Sequence, residues 1–260
     1  MRKIKIPSVS RTAPAQPFVL MIAALLLSAL AWSEPERPSA DIIGFRLGMT
    51  PAEVEANFRK LNPAVDLQQQ QASYRYSDGL TTFNTEPFLS SISGLIAFDR
   101  YAKISHTVTA TFSPPPGEPR VVQIYREQKG IPNPTTAAEL KAALVAKYGA
   151  PSQERHGLEW SLQSNRVRCH SGAGLPDSGN LTALITVQDR DKFLADPSQC
   201  AALLFYHPFG IGNALVREMT AQMVDVENAV RANQAANAWV AGLEATAVAA
   251  RQAKAQGPQL

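Results

Sequence analysis

Cysteine is scarce in this chain: two residues, Cys169 and Cys200, stand among 260. That count excludes a disulfide-dense scaffold and permits at most one internal bridge. A bridge between them would add roughly 3–4 kcal/mol in the chain-entropy picture; the alternative is two buried free thiols. Long apolar runs are missing as well. Phe18 to Trp32, 15 residues, is the hydrophobic run near the N-terminus, and a membrane-spanning helix needs about 20. No cysteine lies near that run, which excludes a bacterial-type lipid anchor on the mature N-terminus, and no twin-arginine pair precedes it. The strained nucleophile elbow G-x-S-x-G is absent too.

What the N-terminus does carry is basic and then apolar. Arg2, Lys3, Lys5 and Arg11 come with no acidic residue, and Ala29-Leu30-Ala31 follows the apolar run as an A-x-A cleavage site. This pattern predicts a secretory signal peptide over residues 1–31, with an uncleaved N-terminal anchor as the alternative. Export to the periplasm or the extracellular space follows, and with it oxidation of the cysteine pair. The whole chain has 25 Lys and Arg against 22 Asp and Glu, net +3. The signal holds four of the basic residues, so the mature chain has 21 against 22, net −1. Its basic character belongs to the part expected to be removed, which argues against a nucleic-acid partner. At 45% hydrophobic and 18% charged, the composition is that of a folded globular protein.

Residues 32–40, with Pro35 and Pro38, read as a short flexible leader. Thr50 then opens a helix as N-cap, with Pro51 at the first helical position and Glu53 completing a capping box. Val54, Phe58 and Leu61 give the helix one apolar stripe, and Asn62-Pro63 ends it. Gln68 to Gln71 is a small polar tract. Strands are expected at 73–76, 92–98, 104–112 and 121–125, with 80–91 irregular. Within Ile104–Phe112, His106, Val108 and Ala110 share one face and Thr107, Thr109 and Thr111 the other. Thr136 and Glu139 repeat the capping box. Leu140, Leu144 and Tyr148 form the second stripe, and Gly149 with Pro151 closes that helix. Further strands are expected at 160–162, 181–187 and 200–206, with a Gly, Ser and Pro-rich loop at 171–180; 215–224 is open to strand or helix, and the even spacing of Met219, Ala221 and Met223 favours strand. An Ala-rich helix runs from about Val226 to Ala255. The order predicts an α+β fold of two related units, each a helix packed on an antiparallel sheet, over 41–130 and 131–224. A C-terminal helix and tail follow over 225–260.

The stretch Gly48-Met49-Thr50-x-x-Glu53-Val54 resembles the exported helix-plus-three-strand family that includes the outer-membrane assembly lipoprotein BamE. The β-lactamase inhibitor protein repeats a similar unit in tandem. The helix exit Lys147-Tyr148-Gly149-Ala150-Pro151 is similar to another motif of exported bacterial proteins of this type. The resemblance implies architecture and action through protein surfaces. It carries no catalytic residues.

The chemistry-bearing residues are few. His106, His156, His170 and His207 are the histidines. Cys169-His170 and Cys200 with His207 match no zinc-finger spacing, so a disulfide is expected and no metal. His106 reads as a hydrogen-bonded core residue. Asp189, Asp191 and Asp196 lack the glycine and closing glutamate of a calcium loop and read as a solvated acidic loop. Gly210-Ile211-Gly212 lacks the third glycine of a dinucleotide site. Arg166 and Arg168 read as a solvated strand edge. Asn180-Leu181-Thr182 is a glycosylation sequon for a eukaryotic host. No cofactor is implied. The expected function is non-enzymatic: binding another envelope or secreted protein, or serving as a structural part of the envelope, through the sheet faces or the C-terminal helix. The alternatives are an exported hydrolase or thiol-dependent enzyme using His170 or His207, and a small-ligand binder in the groove between the units.

Overall fold

The computed structural model describes residues 40–154, 157–170, 185–208 and 212–254. The expected signal peptide, most of the expected leader, His156, the 171–180 segment, the sequon, Gly210 and Ile211, and residues 255–260 lie outside them. The fold is α+β. Helix α1 (Pro51–Leu61) is followed by strands β1 (Leu67–Ala72), β2 (Arg75–Ser77), β3 (Thr82–Asn84), β4 (Phe88–Asp99), β5 (Ile104–Phe112) and β6 (Val121–Lys129). Next come α2 (Ala137–Tyr148), β7 (Leu158–Ser161), α3 (Arg190–Ala195), β8 (Leu203–Pro208), β9 (Glu218–Val224) and α4 (Val226–Lys254).

Both capping helices start the same way. The Glu53 N–H donates to Thr50 Oγ1 at 3.2 Å and the Thr50 N–H to Glu53 Oε2 at 2.7 Å. The Glu139 N–H donates to Thr136 Oγ1 at 3.2 Å and the Thr136 N–H to Glu139 Oε2 at 2.9 Å. Each pair satisfies two backbone donors that the first turn leaves free. Gly149 ends α2 at φ +80°, a conformation that favours glycine, and its carbonyl accepts the Trp160 indole N–H at 2.9 Å.

Seven strands form one antiparallel sheet in the order β1-β4-β5-β6-β9-β8-β7, and β2–β3 form a separate hairpin. The β6–β9 pair divides the sheet into four strands on one side, β1-β4-β5-β6, and three on the other, β9-β8-β7. In each half a helix is followed by an edge strand, and later strands step inward. The turns repeat as well. The N–H of Val121, the first residue of β6, donates to Met49 O (2.9 Å), just before α1. The Val216 N–H donates to Thr135 O (2.8 Å), just before β9 and just before α2. The halves join without a seam, because β6 pairs with β9 from Gln123↔Val224 to Lys129↔Glu218.

Three layers result. Val54 and Phe58 of α1 and Leu144 of α2 pack on one sheet face with Ile92, Ile124 and Leu204, in a core that both halves share. Gly94, mid-strand in β4, is what lets α1 approach: a Cβ there would lie 2.7 Å from the Phe58 ring. On the other face Val226, Ala229 and Val230 of α4 pack with Val122, Leu203 and Val224 around the Cys169–Cys200 disulfide. Beyond Ala236 none of the described α4 residues is fully buried. There the helix lies along the β2–β3 hairpin, with Trp239 against Tyr74 at 6.5 Å between ring centres.

Several local expectations differ from the structure. The glutamine tract is strand β1, and the region expected to be irregular holds β3 and the start of β4. Of the strand expected at 181–187, the described residues 185–187 are irregular. Ile185 is buried beside the disulfide and the Thr186 N–H donates to Cys169 O at 2.9 Å, so this segment serves the disulfide core and not a sheet. The acidic stretch around Asp191 is helical in α3, where the buried Phe193 anchors it under α4. Arg166 and Arg168 are not a solvated edge: Arg166 is ion-paired with Glu227 of α4, and Arg168 lies 2.5 Å from the buried Glu159.

Candidate functional site

The helix-bearing face of the sheet changes character along its length. Cross-strand neighbours share a face, so the register sorts them into rows. Ala110, Ile124, Met223 and Leu204 form an apolar row. The next row is Val108, Arg126, Ala221 and Tyr206, and the one after it runs through His106, Gln128 and Met219. A polar cluster therefore forms where the two halves meet. Arg126 Nε donates to His106 Nε2 at 2.9 Å, and another of its nitrogens donates to Gln128 Oε1 at 2.6 Å. Tyr206 Oη lies 3.2 Å from Tyr148 Oη, and the Tyr148 hydroxyl donates to Asp41 O at 2.6 Å. Burial and the neighbouring Arg126 charge lower the His106 pKa to about 4, so its imidazole is neutral and accepts. Burial raises the Tyr206 and Tyr148 phenols and lowers Arg126. Among the described residues no carboxylate pairs with Arg126. The arrangement holds a cation on neutral dipoles and contains no nucleophile with an adjacent base.

The opposite face is covered at one end by α4 and left open at the other. Toward β4 and β5, Leu95 is 41% exposed and Phe98 65% exposed. They pair with Thr107 and Ser105, so they share this face with the half-buried Thr109 and Tyr125. An ion pair between Lys129 and Glu127 (3.0 Å) borders the patch. At the tip of the β4–β5 turn, Asp99 Oδ1 accepts the Tyr101 and Ala102 N–H groups at 2.8 and 3.0 Å. This fixes the loop with Tyr101 97% exposed. Large apolar side chains in solvent, grouped at one corner and rimmed by charge, have the make-up of a contact surface.

Two of the clefts among the described residues border charged side chains. One of about 460 Å³ is bordered by Gly48, Arg120, Asp225, Asn228 and Arg231. Its charged groups are already engaged: Arg120 with Glu118, Arg231 with Glu227, and Asp225 with the Asn228 N–H at the start of α4. The other, about 470 Å³, lies beside Asp41, Lys147, Tyr148 and Trp160, where Lys147 pairs with Asp41 at 3.1 Å.

The residues singled out in the sequence do not converge on one site. Thr50, Glu53, Thr136, Glu139 and Gly149 begin or end helices. Cys169 and Cys200 are bonded to each other, so neither sulfur is available as a thiolate nucleophile or a zinc ligand. His170 is 2% exposed with its ring against Phe205, and His207 stands on β8. Asp189 and Asp196 flank α3, and among the described residues no group of three His, Cys, Asp or Glu side chains gathers around a common point. Arg126 carries a sequence signal of its own: the alternation Ile124, Arg126, Gln128 puts a charge on a core-facing strand position. Among the described residues no helix is long and apolar enough to cross a membrane. Comparison with protein-family models, with curated proteins and with solved structures returns no match for this chain.

Proposed function

We propose that this is an exported, non-enzymatic protein-binding module. It acts on another envelope or secreted protein through the open sheet corner formed by Leu95, Phe98 and Tyr101. The observation that carries this reading is the exposure of those three large apolar side chains at one corner of the sheet. The signal-like N-terminus, the closed disulfide and the resemblance to envelope modules that act through their surfaces point the same way. Aromatic anchors dominate protein interfaces when they become fully desolvated. The test is cross-linked capture from native envelope with the tagged wild-type protein and with Phe98→Ser/Tyr101→Ser. A partner recovered by the wild type and lost from the variant supports the reading. The same set of proteins recovered by both would remove it.

A second reading, a small-ligand site in the groove between the halves, rests on Arg126. A carboxylate-bearing ligand would complete its shell. A thermal-shift screen of small carboxylates tests this: stabilisation of the wild type that is absent from Arg126→Gln supports it, and no stabilisation by any carboxylate rejects it.

A further inference from the structure

The two outer strands of the sheet are not equivalent. The β7 edge is covered: Glu159 exchanges backbone hydrogen bonds with Gln153, and the Ser152 N–H donates to Glu159 O at 2.7 Å. Strand β1, Leu67-Gln68-Gln69-Gln70-Gln71-Ala72, pairs with β4 on one side only. Among the described residues no strand or loop backbone is bonded along its outer side. Edges of this kind are usually blunted by lysine, proline or a bulge. β1 has no charged residue and no proline, and the register shift at Gln70/Gln71 matches an extra residue, Ser90, on β4.

The direction of each backbone group follows from one bond. Ser90 of β4 donates its hydroxyl to Gln70 O at 3.1 Å, so the Gln70 backbone faces β4. In an antiparallel strand the N–H and C=O of one residue point the same way, and successive residues alternate. Gln68 and Gln70 therefore bond inward, and Leu67, Gln69 and Gln71 present their groups outward. A partner must offer outward groups at the same two-residue spacing. A second copy of the same strand does so without remainder. With a two-fold axis at Gln69, Gln69 meets its own copy, Leu67 meets Gln71, and Gln71 meets Leu67. All three outward residues are matched, each pair exchanging two backbone bonds. Gln68 falls opposite Gln70, an uncharged pair able to form an amide ladder. Beyond the strand ends Asp66 falls opposite Ala72 and Arg75 opposite Pro63, so no like charges face each other. On the α1 side, Gln69 Nε2 donates to Glu55 Oε1 at 2.9 Å, which holds the central side chain out of the edge.

We propose that two copies of this chain pair antiparallel through β1, joining their sheets across a two-fold axis at Gln69. Such an interface is self-complementary and closed, so it stops at the dimer. It uses the edge opposite β7 and does not depend on the Phe98 corner.

Sedimentation equilibrium of the mature chain, from about 1 μM to about 1 mM, tests it with three variants. Gln71→Pro removes an outward N–H without breaking a bond to β4, a substitution edge strands accept. Gln68→Lys/Gln70→Lys sets like charges opposite each other at two exposed positions. Gln69→Cys brings equivalent Cα atoms to about 5.5 Å, within disulfide reach. The expected result is a wild-type dimer weakened at least tenfold in both edge variants, with circular dichroism unchanged in the lysine pair. Gln69→Cys should oxidise to a covalent dimer far faster than Gln68→Cys. A wild-type chain that stays monomeric overturns the proposal, as does a dimer indifferent to the lysine pair or equal cross-linking at the two cysteine positions. A monomer that instead takes up extended peptides along β1 also overturns it.

Discussion

At the residue scale, two buried polar side chains make opposite demands on the fold. Gln123 is fully buried between the sheet and α4, and among the described residues neither atom of its amide has a hydrogen-bond partner. A buried amide without partners costs about 1–3 kcal/mol. Gln123→Met keeps the length and removes the polar atoms, so it should raise the unfolding free energy by about 1 kcal/mol in urea titration. A loss of similar size would show that the amide holds an internal water. His106 acts through its charge state. Its folded pKa is depressed from 6.5 to about 4. The unfolded chain therefore binds more protons than the folded one between those values. The contribution is complete above pH 6.5 and is lost as pH falls toward 4. Wild-type stability should drop across that window, and His106→Gln should flatten this part of the profile. Equal slopes in the two proteins would mean that His106 does not titrate as described.

At the element scale, the helix starts were readable because a capping box is local. The oxygen of Thr50 reaches only as far as Glu53, so four residues contain the whole interaction. The same holds at Thr136. Thr50→Ala and Thr136→Ala should each cost about 1 kcal/mol in thermal or urea unfolding. The repeat predicts similar losses at both sites, and a loss at one alone would show that the other helix is held by packing. Other elements had no local signature. Strand β1 exposes both faces, so its glutamines show no alternation for a period-two reading to detect. The six-residue α3 is too short to establish a helical stripe and depends on Phe193 reaching the disulfide core. The hairpin β2–β3 forms under α4, about 150 positions later in the chain. Arg166 looked like an exposed edge residue because its partner, Glu227, belongs to α4.

At the scale of the whole molecule, two helix-and-strand halves can behave as two domains or as one, and the β6–β9 pairing decides between them. That pairing is non-local and could not be read from either half. It makes one sheet of two, and one core collects Phe58 and Ile92 from the first half with Leu144, Leu204 and Met223 from the second. Unfolding one half would expose the other's share of that core and a new central strand edge. Both penalties argue for a single cooperative transition of the folded chain. Calorimetry should then give a van't Hoff enthalpy equal to the calorimetric one. The disulfide sits on the opposite face, where it ties the segment before β8 to the loop after β7 beneath α4. Cys169→Ser/Cys200→Ser should therefore lower the midpoint, with a loss of roughly 3–4 kcal/mol from the loop it opens, while the transition stays single. Two resolved transitions in the wild type would show that the halves are energetically separate despite their shared sheet. A second transition appearing only in the serine variant would place the coupling in the disulfide layer, and not in the β6–β9 pairing.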